Sequence, residues 1–325
     1  MKAIVYTQYG SPDVLHIREV EKPSPKENEL RIKVRAVEAT KADCELRSFN
    51  LPVKWTWLPL RLAWGIRKPR NQILGSYFAG EVDAVGSAVT KFAVGDAVFG
   101  CAGFGMGAYG EYVCVSAETT LAPKPTNMTF AEAAAVPLGG LNALHFMRKA
   151  NIQPGEQVLI NGAGGSIGSF GVQIAKTMGA EVTAVDNAEK EEMVRQLGAD
   201  HYIDYTKEDF SQNGQRYDVI FDMVAQSSYA SCLQSLKPNG RLLLGNPRFS
   251  KMIQSAFTSR RTDKAVTFAF AAETEEELLT LKQMIEAGQL QSPLDSIMSM
   301  AQAAEAHHRV ESEQRVGIVV ISMGE

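Results

Sequence analysis

Between Val158 and Lys176 the chain reads VLINGAGGSIGSFGVQIAK: an apolar run, a burst of residues with almost no side chains, then a segment of helical pattern. Gly162, Gly165 and Gly168 recur every third residue where a buried strand hands over to a helix. A sharp turn, a main chain that comes close to a pyrophosphate, and a helix packed tightly on its sheet are each obstructed by a Cβ. The helix that opens at Ser166, Ile167 and Gly168 turns its first-turn N–H groups and the positive end of its dipole toward the phosphates. The stretch predicts a dinucleotide site, and such a site needs a parallel α/β sheet around it.

The flanking residues supply that sheet. The strands EQVLIN, EVTAVD, DHYIDY, YDVIFDM and RLLLG alternate with helices predicted over Ser166–Met178, Ala188–Leu197 and Ser227–Leu236. Strands that are continuous apolar runs, separated by amphipathic helices, indicate a doubly wound parallel sheet covered on both faces. Thr129 and Glu132 form a capping box that opens an alanine-rich helix ahead of it; a further strand, VTFAFA, and a helix opened by Thr274 and Glu277 and stopped by Gly288 follow. From Met1 to about Leu121 the texture is different: short alternating strands punctuated by glycine and proline, hence a β-rich domain. The expected division is 1–121, 122–271 and 272–325.

The strand EVTAVD ends in Asp186, eighteen residues past Gly168, where a carboxylate accepts hydrogen bonds from the adenosine ribose and repels a 2′-phosphate. Lys190, Arg195 and Tyr205 follow and could instead hold that phosphate, so NAD(H) and NADP(H) both stand. A net charge of −4 excludes the broad basic field that holds a protein on nucleic acid or anionic membranes, and points to a small-molecule partner. Cys44, Cys101, Cys114 and Cys232 are scattered, with no CxxC and no Cys/His cluster at ligand spacing, so neither a disulfide scaffold nor structural zinc is expected. No run reaches the roughly 18 apolar residues of a membrane span, and the N-terminus lacks the apolar region of a signal peptide; a soluble cytoplasmic protein is the expectation.

The segments ILGSYFAGEVDAVGSAVTKFAVGDAVFG, NGAGGSIGSFGVQIAKTMGAEVTAVD and LGADHYIDY resemble the zinc-independent quinone oxidoreductase branch of the medium-chain dehydrogenase/reductase superfamily. The resemblance covers nearly the whole chain. It implies a GroES-like β domain built from the N-terminal third and the C-terminal tail, to which the last strand RVGIVVI returns, a Rossmann domain between them, and a cleft where nicotinamide meets substrate. It also implies a homodimer, with VTFAFA as a sheet edge.

Where zinc-dependent members of that superfamily carry metal ligands, this chain has Thr40, then Ser76 and Tyr77 after Gly75, then Leu138; their four-cysteine lobe is represented only by Cys101. No metal is expected. The resemblance then implies quinones or α,β-unsaturated carbonyls as hydride acceptors, because the delivered charge spreads over a conjugated oxygen that a few hydrogen-bond donors can stabilise. It places Thr40, Tyr77 and Asn142 as candidate donors, although Thr40 reads equally as a strand-end hydroxyl, Tyr77 as packing, and Asn142 as a helix-to-backbone bond. The family's loop tyrosine after Asp43 is missing, which leaves water as the proton source. Val224, Gly245 and Asn246 fall beside the nicotinamide ribose by fold analogy.

Leu51–Gln72 holds all three tryptophans and five basic residues. It reads as a lid or wall for bulky apolar substrates, as a loop packed on its own aromatics, or as an interface patch. Two rival functions keep the cofactor: a metal-free alcohol dehydrogenase, and a non-catalytic dinucleotide-binding protein.

Overall fold

The computed structural model describes residues 1–50, 57–245, 249–268 and 271–324. Two compact units form, one from Met1–Pro137, Thr274–Glu286 and Leu294–Glu325, the other from Leu138–Glu273 and Ala287–Pro293.

The second unit is built on six parallel strands, His201–Asp204, Glu181–Asp186, Gln157–Asn161, Tyr217–Asp222, Leu236–Leu244 and Ala265–Phe268, in that spatial order. Numbered along the chain this is 3-2-1-4-5-6, the Rossmann order, and the sheet reverses direction between Gln157–Asn161 and Tyr217–Asp222. Val158, Leu159, Ile160, Val219, Ile220 and Phe221 are fully buried, as continuous apolar strands covered on both faces must be. Helix Ser166–Thr177 ends within one residue of its expected limit. The two that follow are shorter than predicted, Glu191–Gln196 after a 3-10 turn and Tyr229–Gln234. Helix Phe249–Arg261 lies outside the sequence expectation, although Phe249, Met252, Ile253, Ala256 and Phe257 in FSKMIQSAFTSRR stand at helical spacing.

In the first unit the strand Glu29–Glu38 alternates as a half-covered antiparallel strand should, with Leu30, Ile32, Val34 and Ala36 inward. Its polar face carries Arg31 on Asp83 (2.6 Å) and Arg35 on Glu81 (2.6 Å). It pairs with Tyr77–Val85 and Tyr112–Ser116 and, from the far end of the sequence, with Ile318–Ser322. Thr129 and Glu132 make the capping box in both directions, at 3.2 Å and 2.7 Å. Among the described residues no helix is long and apolar enough to cross a membrane.

Candidate active site

The glycine turn sits at the carboxyl end of Gln157–Asn161, beside the point where strand order reverses. Its glycines are bare for different reasons. Gly162 has φ +86°, which a side chain tolerates poorly. A Cβ on Gly168 would overlap the Gly162 carbonyl oxygen and lie 2.8 Å from Ala163 Cα, so the helix could not approach the turn. Gly164, outside the three-residue interval, is covered by Lys190: a Cβ there would overlap its side chain and lie 3.1 Å from Asp186 Oδ2. Gly165 alone has no such reason. It caps the helix at φ −83° and ψ 170°, an ordinary extended conformation, and its Cβ would meet nothing nearer than 3.6 Å. The protein's own packing leaves that position open, in front of the first-turn amides of Ile167 and Gly168, and a pyrophosphate fits it.

Asp186 ends the second strand beside the glycine turn. Its carboxylate is buried and accepts the Gly164 N–H at 2.8 Å, the Asn187 N–H at 2.9 Å and Lys190 Nζ at 3.2 Å. Lys190 is buried with it, so the acid that should repel a 2′-phosphate is neutralised in place. Arg195 pairs with Glu191 on the outside of its helix (2.8 Å), and Tyr205 is 60% exposed at the end of the neighbouring strand. On the other flank Val224 is the neighbour of Gly162, 3.3 Å from where a Cβ would stand, and Gly245 packs against Met223, which leaves it no room for a side chain. Asn246 lies outside the described residues.

The first unit gathers a second set of groups. Thr40 is buried at the N-cap of helix Lys41–Ser48; its hydroxyl donates to Asp43 Oδ2 (2.6 Å) and accepts the Asp43 N–H (3.0 Å). Asp43 Oδ1 accepts the Gly75 N–H at 3.0 Å, so one carboxylate joins Thr40 to the segment that leads into Tyr77, half-buried at the start of its strand. Burial raises the Asp43 carboxyl above the ordinary range, against the lowering effect of these hydrogen bonds. Asn142, in the other unit, donates to the Leu138 carbonyl four residues back, at 2.9 Å. Part of the tryptophan segment is described: helix Trp57–Trp64 and the turn after it, where Arg61 lies over the rings of Tyr9 and Phe49 and Tyr9 Oη donates to the Gly65 carbonyl (2.8 Å). Residues 51–56 lie outside the described residues.

Three features carry no signal in residue spacing. Tyr6 is buried near Asp43 with no hydrogen-bond partner on its hydroxyl among the described residues, and burial raises its phenol. His307 is fully buried between Cys44 (Nδ1 to Sγ, 3.3 Å) and Tyr109 (Nε2 to Oη, 2.8 Å). Burial pushes the imidazole down to about 3, with Arg47 and His308 adding to the effect, so the ring is neutral. Burial holds Tyr109 protonated, so one face of the neutral ring meets a phenol and the other a thiol. The third is a buried cluster around Asp222.

A two-part oxidoreductase of the nicotinamide-nucleotide class is what this fold and these sites define. Two family models match, the alcohol dehydrogenase GroES-like domain over residues 26–126 and the zinc-binding dehydrogenase family over residues 197–321. A quinone oxidoreductase of Pseudomonas aeruginosa is 31% identical over 98% of this chain and 99% of its own length. An NADPH-dependent alkenal/one oxidoreductase of Arabidopsis thaliana is 31% identical over 99% of the chain and 79% of its own length. The structure of the quinone oxidoreductase from Coxiella burnetii superposes with a TM-score of 0.87 at 28% identity, covering 99% of each chain. The chain belongs to the quinone oxidoreductase family within the medium-chain dehydrogenase/reductase superfamily. Among the described residues no three His, Cys, Asp or Glu side chains are grouped to hold a metal ion.

Proposed function

We infer that this chain is an NAD(P)H-dependent reductase that reduces quinones or α,β-unsaturated carbonyl compounds. The observation that carries the reading is Gly165, an open position at a helix N-terminus that the protein's own packing does not require. Names of relatives supply the acceptor class: quinone oxidoreductase and alkenal/one oxidoreductase. When bound, reduced nicotinamide supplies the hydride.

Tyr77 is the donor to the acceptor's oxygen in this reading. The Thr40 hydroxyl hydrogen is directed at Asp43, so Thr40 serves by fixing, through Asp43 and Gly75, the segment on which Tyr77 sits. Asn142, in the other unit, keeps a second amide hydrogen beyond the one given to Leu138. One preorganised donor is worth about 3 kcal/mol in the transition state, roughly a hundredfold in rate. Water provides the proton. Lys190 over a neutralised Asp186 admits NADPH, and Lys190→Ala is expected to weaken NADPH about tenfold relative to NADH, read as the ratio of their dissociation constants. The finer expectations are a cytoplasmic homodimer joined through the edge strand Ala265–Phe268, and bulky apolar substrates beside the exposed Leu62 and Ile66.

The test is oxidation of NADPH and NADH with 1,4-quinones, enals and simple aldehydes. Turnover with quinones or enals and none with aldehydes is the expected result. Binding without turnover on the whole panel would make the protein a non-catalytic binder, and oxidation of simple alcohols would make it an alcohol dehydrogenase.

A further inference from the structure

The cluster at the reversal point is built around a buried carboxylate. Asp222 ends the fourth strand of the Rossmann sheet and lies in register with Asn161, which ends the first. Its Oδ1 accepts Asn161 Nδ2 (2.9 Å) and the Val224 N–H (3.1 Å); its Oδ2 accepts the Ser227 hydroxyl and Lys251 Nζ (3.3 Å). Lys251 comes from helix Phe249–Arg261 and is 6% exposed. It donates also to Ser227 Oγ (2.8 Å) and to the Val224 carbonyl (3.4 Å).

A buried ion pair is a poor way merely to attach a helix, since apolar side chains of the same volume do this as well or better. What the pair adds is direction. Asp222 holds the N–H of Val224 while Lys251 holds its C=O, so the segment Met223–Ser227 is fixed from both sides in one arrangement. That segment faces the cofactor crevice. Val224 and Met223 lie 3.3 Å and 3.4 Å from the missing Cβ of Gly162, and Met223 fills the space a Gly245 side chain would need. The Gly245 N–H in turn bonds the Asp222 carbonyl at 3.0 Å.

We propose that Lys251 is a positioning residue for the cofactor, shaping through Val224 the half of the crevice that takes the nicotinamide nucleotide. The inference rests on the dinucleotide reading of the site. In a doubly wound sheet the first three strands serve one mononucleotide and the last three the other. Lys251 belongs to the second half, where NADH and NADPH are identical, whereas Lys190 belongs to the first, where they differ.

The experiment compares dissociation constants of NADPH, NADH and ADP for the wild type, Lys251→Met and Lys251→Arg by calorimetry. Lys251→Met should weaken NADPH and NADH equally, by about tenfold, and leave ADP within about twofold; Lys251→Arg should recover most of the loss. A merely structural role would lower Tm and leave the ratio of NADPH to ADP affinity unchanged, and that result overturns the proposal. Should Lys251→Met fail to fold, Ser227→Ala removes the shortest lysine contact, and an unchanged ratio there overturns it equally. A wild type that binds ADP and both dinucleotides while Lys251→Met matches it refutes only this inference. A wild type that binds no nucleotide refutes the site reading, and this inference with it.

Discussion

Replacing Gly165 with valine is expected to weaken NADPH and NADH about a hundredfold or more, a loss of about 2.7 kcal/mol, while lowering Tm by only about 2–4 °C. The backbone there is extended and the nearest atom to a new Cβ is 3.6 Å away, so the fold accepts a side chain at little more than the cost of a poorer helix cap. The pyrophosphate does not, because the side chain fills the space in front of the helix. Gly168→Ala separates ligand from fold in the other direction: its Cβ overlaps the Gly162 carbonyl, so stability and affinity should fall together. Thermal melts beside cofactor titrations of both variants check the pair. If Gly165→Val binds as well as the wild type, the open position has some other purpose and the site is misread.

The second large effect is on stability against pH. His307 is held neutral, pushed down to about 3, whereas in the unfolded chain it titrates near 6.5. The unfolded state therefore binds the proton first, and the native advantage is full above about pH 6.5 and shrinks as pH falls toward about 3. At one proton per molecule the slope is about 1.4 kcal/mol per pH unit, which is about 2 kcal/mol lost between pH 7.5 and pH 5. Asp43 acts with the opposite sign, since its raised carboxyl favours the protonated native form above the ordinary carboxylate range, but it is common to wild type and variant. Urea unfolding of the wild type and His307→Gln at both pH values should show the wild type losing about 2 kcal/mol more than the variant. Equal losses would mean that the imidazole is not shielded as described.

Features set by local spacing are legible in the amino-acid sequence alone. The three-residue glycine interval, the alternation of apolar strands with helices, and the acid at the end of EVTAVD involve only neighbours along the chain, and the sheet places them together at one strand end. The remainder depends on partners far apart in the chain. His307 meets Tyr109 across 198 residues and Cys44 across 263, and no period or spacing announces such a pair. Lys251 reaches Asp222 across 29 residues, a pairing that no spacing in the sequence announces. The Thr40–Asp43 box departs from the usual signature, which ends in Glu or Gln, yet the shorter aspartate makes the same reciprocal bonds. Gly164 is bare on account of Lys190, a side chain that lies well beyond it in sequence and that only the fold brings over it.

Calorimetric titration of the wild-type protein with NADPH and with NADH tests the central claim most directly. Saturable binding of at least one of them, one per chain, is the predicted result. No heat from either, with a folded sample confirmed by its melting curve, would contradict it.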